Sequence, residues 1–112
     1  MNELYEVILT YNDYLRQLPR GCKIIAALLK DNQIELAKTN ISYFSEGLAW
    51  LSEAQYLMKI NGIESSLELT DIEYTLIQIN KYLERREFLE VAEVFDTVLY
   101  NYFFNIPLLL EA

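Results

Sequence analysis

Histidine is absent from the 112-residue chain, cysteine occurs once, proline twice and glycine three times. The missing histidine removes the commonest general base, so Ser42, Ser45, Ser52, Ser65 and Ser66 have no imidazole to activate them. It also removes the Glu-x-x-His pairs that a carboxylate-bridged di-iron bundle requires. A lone Cys22 forms neither an internal disulfide nor a C-x-x-C metal or redox site. The expectation is a buried thiol serving as a small core hydrophobe. There is no phosphate-cradling glycine loop, no dinucleotide fingerprint and no Asx-rich calcium loop. No metal and no cofactor are therefore expected, and the chain is not expected to be an enzyme.

Long hydrophobic runs are missing too. No stretch reaches the roughly 18 uninterrupted apolar residues of a membrane span. The opening MNELYEVIL carries Glu3 and Glu6 and no basic cluster, unlike a secretory signal, so the cytoplasm is the expected compartment. Acidic residues outnumber basic ones 17 to 9, for a formal net charge of −8. A surface of that sign repels phosphate backbones, and nucleic acid is not an expected partner.

What is present is apolar and periodic. Hydrophobic residues make up 53% of the chain, which excludes disorder and is enough for the core of one domain spanning 1–112. The clearest pattern lies at 33–60, where Ile34, Ala37, Ile41, Phe44, Leu48, Leu51 and Met58 recur at three- and four-residue steps, with only Gln55 missing from the spacing. This long amphipathic helix is expected to be the staff against which the other segments pack. Ahead of it, Leu4, Ile8, Tyr11, Leu15 and Leu18 predict a helix at 2–18 that Asn2 could cap and that Pro19-Arg20-Gly21 ends. A short helix follows at 22–30, and Asp31-Asn32 breaks the pattern, with either residue a candidate cap for the long helix.

Asn61-Gly62 closes the long helix. A fourth helix is expected at 68–84, capped by Ser66 or by a Thr70–Glu73 capping box, and a fifth at 87–104. The fold class is all-α, an antiparallel four- to five-helix bundle. An echo at an offset of 55 pairs Ile24 with Ile79, Leu28 with Leu83, Ile34 with Leu89, Ala37 with Ala92, Phe44 with Leu99 and Leu48 with Phe103. It is compatible with two related hairpins, and equally with any two amphipathic helices joined by a short turn.

Candidate functional residues are few. Gly47 sits inside the long helix at a cost of about 1 kcal/mol relative to Ala, which suits a close helix crossing or a kink that shapes a groove. Trp50, one turn on, suits either core or a binding hot spot. Nine tyrosines and five phenylalanines are many for a thin bundle. The segment Tyr100-Asn-Tyr-Phe-Phe-Asn-Ile-Pro-Leu-Leu-Leu is too apolar to lie free. It is expected to fold back on the bundle, the alternative being a partner or second subunit. Gly47, Trp50, Tyr100, Tyr102, Phe103 and Phe104 form the candidate interaction surface. The acidic run Glu84, Glu87, Glu90, Glu93 and Asp96 beside it suits a basic partner, or solubility alone. Glu46, Glu53 and Glu90 are the carboxylates that a paired-acid enzyme would need to bring together.

The turn KDNQIELA followed by FSEGLAWLSEA, and the later INKYLERREFLEVAEVFDTVLYNYF, resemble a group of small uncharacterised all-helical proteins of Gram-positive bacteria. The resemblance implies a helical fold and carries no activity or catalytic residue. In size and architecture the chain is also comparable to the small helical secretion chaperones of the flagellar system, without their N-terminal signature. The expected function is a non-enzymatic bundle that binds a protein partner or itself, as adaptor, chaperone-like protein or homodimer subunit. The alternatives are an enzyme or small-ligand binder built on an apolar cavity with carboxylates, and a purely structural homo-oligomer.

Overall fold

The computed structural model describes residues 2–109; the expected Asn2 cap and Leu110 of the apolar tail lie outside the described side chains and residues. Among the described residues there are four helical rods and no strand. They form a bundle of 46 × 22 × 21 Å.

The first rod is a single helix, α1 (Asn2–Lys30), so the expected break at Pro19-Arg20-Gly21 does not occur. An interior proline costs about 3 kcal/mol by removing one hydrogen bond and crowding the carbonyl four residues back. Here Leu15 and Leu18 before it, and Cys22, Ile25, Ala26 and Leu29 after it, all lie in the core. Each large apolar side chain so buried contributes about 1.5–3 kcal/mol, which keeps the helix continuous through the proline. Ile8, Tyr11 and Asn12 extend the same buried face.

Helix α2 (Ile34–Ile60) returns antiparallel to α1. Its core stripe of Ala37, Ile41, Phe44, Leu48, Leu51, Ala54 and Met58 follows the expected spacing. It is not the central staff, however. That position belongs to α1, which packs along α2 on one flank and along the C-terminal rod on the other. The shift follows from the proline: a 2–30 helix is long enough to span the bundle, whereas two short helices would not be.

Residues 61–68 lead to α3 (Leu69–Glu84), which buries only Ile72 and Ile79 and lies at the edge against the C-terminal rod. That rod consists of α4 (Phe88–Glu93), a π-helical stretch (Val94–Leu99) and α5 (Tyr100–Asn105), joined without leaving helical dihedrals. Phe95 and Phe103 meet the Phe44 ring of α2 edge-on, at centroid distances of 5.4 and 5.9 Å.

Helices α1, α2 and α3 end alike. Asn32, Gly62 and Arg86 adopt left-handed dihedrals (φ 60°, 80° and 58°). The next N–H in each case reaches back to Leu28, Met58 or Tyr82. This is the Schellman arrangement, which satisfies two carbonyls that would otherwise be orphaned. Asp31 and Asn32 therefore finish α1 instead of capping α2. The N-cap of α2 is Gln33, without a side-chain bond. At α3 the expected Ser66 and Thr70 caps are also not used: the N-cap is Glu68. Its own N–H donates to Tyr102 Oη at 2.6 Å, so α5 fixes the start of α3.

These turns set the true register of the internal echo. The turn residues Asn32 and Arg86 differ by 54, as do the helix starts Ile34 and Phe88. The buried pairs Ile25/Ile79, Ala37/Val91 and Ile41/Phe95 keep that offset, while Phe44/Leu99 and Leu48/Phe103 need 55. The one-residue slip falls within the π-helical stretch, whose wider turn accommodates an added residue. At the constant offset of 55, Ile34 would match Leu89, which is exposed, and Ile24, itself exposed, would match the buried Ile79.

The tail folds back as expected. Ile106, Leu108 and Leu109 rest against the core. The buried Asn12 side chain grips the Leu109 backbone, donating to its carbonyl at 2.6 Å and accepting from its N–H at 2.9 Å.

Candidate protein-docking groove

The second expected role of the long helix, a surface beside Gly47 and Trp50, has a defined geometry. Where α1 crosses α2, the Tyr14 ring lies directly over Gly47. A methyl group at Gly47 would overlap the Tyr14 hydroxyl and Cζ and would stand 2.9 Å from Cε1. The glycine is therefore a notch for an aromatic ring, and the close crossing accounts for it without a kink. Burial raises the Tyr14 phenol above its ordinary pKa. Beside the notch, Tyr14 and the half-buried Trp50 lie 6.2 Å apart between ring centroids, tilted by 46°.

Around this contact α2 carries a second apolar stripe, distinct from its core stripe. Leu36, Tyr43, Trp50 and Leu57 recur every seven residues and so share one face. Leu36, Tyr43 and Leu57 are 52, 63 and 39% exposed. The facing flank of α1 offers Gly21 and Ile24, the latter 43% exposed. Between the helices lies a shallow recess of about 180 Å³, lined by Tyr14, Gln17, Gly21, Ile24, Asn40 and Tyr43 among others. No atom comes within 4 Å of the position a Gly21 side chain would take. The result is an uncovered apolar groove along the α1–α2 seam. The seven-residue spacing of Leu36, Tyr43, Trp50 and Leu57 was visible in the sequence, but the stronger three-four pattern of the core stripe overlaid it.

The C-terminal candidates do not join this surface. Phe103 is core, Tyr102 is committed to the Glu68 N–H, and Tyr100 lies under Lys23, whose Nζ is 4.1 Å from the ring centroid. Phe104 stacks on Tyr100 at 5.5 Å and is exposed. They sit on the flank of α1 that faces α5, whereas Tyr14 and Gly21 sit on the flank that faces α2. The expected acidic run is likewise divided, because Asp96 is held by α1: its carboxylate accepts from Lys23 at 2.8 Å and from Lys30 at 3.0 Å. Those hydrogen bonds hold the Asp96 carboxyl below its usual pKa. Lys23 also donates to the Asp96 carbonyl, within the π-helical stretch.

Cys22 is fully buried, and desolvation pushes its pKa up to about 12. Glu46, Glu53 and Glu90 are all exposed, the first two on α2 and the third on α4. A recess of about 420 Å³ between α2 and α3 is lined by Leu48, Ala49, Ile72, Leu76, Glu53 and Glu73, among others. Among the described residues no group of three carboxylate or thiol side chains is placed to hold a metal. Also among them, no helix is long and apolar enough to cross a membrane.

No curated protein and no solved structure matches the chain. A family model, that of a domain of unknown function (DUF8042), matches residues 6–104. Since that match spans nearly the whole bundle, the chain belongs to the DUF8042 family.

Proposed function

We propose that this protein is a non-enzymatic interaction module that receives a segment of another protein in the α1–α2 groove. The observation that carries this is the seven-residue stripe Leu36, Tyr43, Trp50 and Leu57. It adds an uncovered apolar line to a helix whose core face is already buried. Exposed apolar residues arranged in one line along a rigid scaffold are the geometry of helix-in-groove recognition. The half-buried Trp50, braced by Tyr14, supplies the kind of rigid aromatic anchor on which binding energy concentrates.

Site-specific photo-crosslinking in the native host tests this. A benzophenone amino acid at Tyr43 is expected to give a discrete protein adduct. The same residue at Tyr74, equally exposed on α3, is expected to give none. No adduct at Tyr43, or the same adducts from both positions, would contradict the proposal.

A further inference from the structure

The charges that flank the groove describe its occupant: we infer that the partner segment is a cationic amphipathic helix of about three heptads. The inference rests on the docking role just proposed. The stripe from Leu36 to Leu57 spans 21 residues, or about 32 Å at 1.5 Å per residue. A helix laid along it would meet anchors one heptad apart.

The rims of that line are acidic. On α2, Glu46 and Glu53 lie one turn before and one turn after Trp50, and both are exposed. On α1, Glu6, Thr10, Asp13 and Gln17 follow three- and four-residue steps along the outer edge that ends at the recess. Glu6 and Asp13 are exposed, the latter paired with Arg16 at 2.7 Å. Helices α1 and α2 run antiparallel, and Tyr14 lies over Gly47. The acids of α1 are therefore level with the C-terminal half of α2, where Glu46 and Glu53 lie. The cations Lys23 and Lys30 of α1 are on its other flank, engaged with Asp96. The Trp50 half of the groove is thus an apolar floor between two acidic edges. The Tyr43 half, edged by Gln17, Asn40 and Thr39, carries one exposed charge of each sign, Arg20 on α1 and Glu35 on α2, and so has no acidic excess.

A second copy of the chain would bring the same acidic edges, in a protein of net charge −8. Like charges set face to face oppose that pairing, and opposite charges favour a partner with Lys or Arg flanking its apolar face.

Three synthetic 21-residue peptides provide the test, with Trp50 fluorescence as the signal because it is the only tryptophan. One has a leucine face with lysine flanks, one the same face with glutamate flanks, and one the cationic composition scrambled. The lysine-flanked peptide is expected to bind saturably at one per chain, at least tenfold tighter than the other two and more weakly as salt rises. The exposed double variant Glu46→Lys/Glu53→Lys is expected to lose at least tenfold for that peptide and to gain for the glutamate-flanked one.

Equal binding of both helical peptides, abolished by Tyr43→Arg, would overturn the charge inference and leave the groove standing. Equal binding of the scrambled peptide would overturn it as non-specific attraction. Self-association that Tyr43→Arg abolishes would overturn it in favour of a second copy. Failure of both helical peptides, together with no crosslink from Tyr43, would overturn both the inference and the docking role.

Discussion

Gly47→Ala probes the α1–α2 crossing directly. The new methyl would occupy the volume of the Tyr14 hydroxyl and Cζ, so the ring must swing out of its notch. Overpacking of this kind costs about 1–3 kcal/mol. Losing the tilted Tyr14–Trp50 contact adds about 0.5–1.5 kcal/mol. Against this, replacing a helix-interior glycine by alanine gains about 1 kcal/mol. The net expectation is a destabilisation of about 1–2 kcal/mol, which for a domain of this size lowers Tm by roughly 5–10 °C. The sole tryptophan reports the local change, so its emission should shift in the folded variant while the helical circular dichroism stays unchanged. In a Tyr14→Ala background the clash is gone, and Gly47→Ala should then stabilise by about 1 kcal/mol. A double-mutant cycle by urea denaturation should thus give a coupling of about 2–3 kcal/mol. If Gly47→Ala stabilises the protein while Tyr14 is present, the notch is not where the structure puts it.

Four further outcomes are expected. Gly21→Ala, in the interior of α1 with open space around the new methyl, should stabilise by about 0.5–1 kcal/mol in urea denaturation. Asn12→Ala should cost about 1–3 kcal/mol and release the tail, seen as faster exchange of the Leu109 amide, because two hydrogen bonds to Leu109 are lost. Cys22, buried with its pKa pushed up to about 12, should resist thiol reagents at neutral pH and react only as fast as the protein opens. Asp96 has a depressed folded-state pKa, so its stabilisation is present above the ordinary aspartate range and lost as pH falls through the lower folded value. Asp96→Asn should therefore lower Tm at pH 7 and flatten the loss of Tm as pH falls below the ordinary aspartate range.

Much of the bundle was legible because helical periodicity is a local property. The stripe of α2 and the stop at Asn61-Gly62 follow from adjacent residues alone. What was not legible depends on distant partners. Pro19 reads as a helix stop from its own chemistry, and only the burial of Leu15, Leu18, Cys22 and Ile25 on one face overrides it. The start of α3 is fixed by a tyrosine from α5, not by the capping box its own sequence offers. Arg86 takes a left-handed cap position that its residue type disfavours. The π-helical stretch hides the true offset between hairpins by one residue. Among the candidate site residues, the sequence marked Gly47 and Trp50, which Tyr14 brings together. The apolar period of the fifth helix already left Tyr102 or Phe103 for the core, but nothing local showed that the Tyr102 hydroxyl accepts from the Glu68 N–H.

Amide chemical-shift mapping during titration with the lysine-flanked amphipathic peptide shows whether the α1–α2 seam is a docking groove. The shifted residues are expected to lie along Leu36, Tyr43, Trp50 and Leu57 and the facing edge of α1 around Gln17, Gly21 and Ile24. Shifts centred instead on Tyr100 and Phe104, or on the recess between α2 and α3, would contradict it.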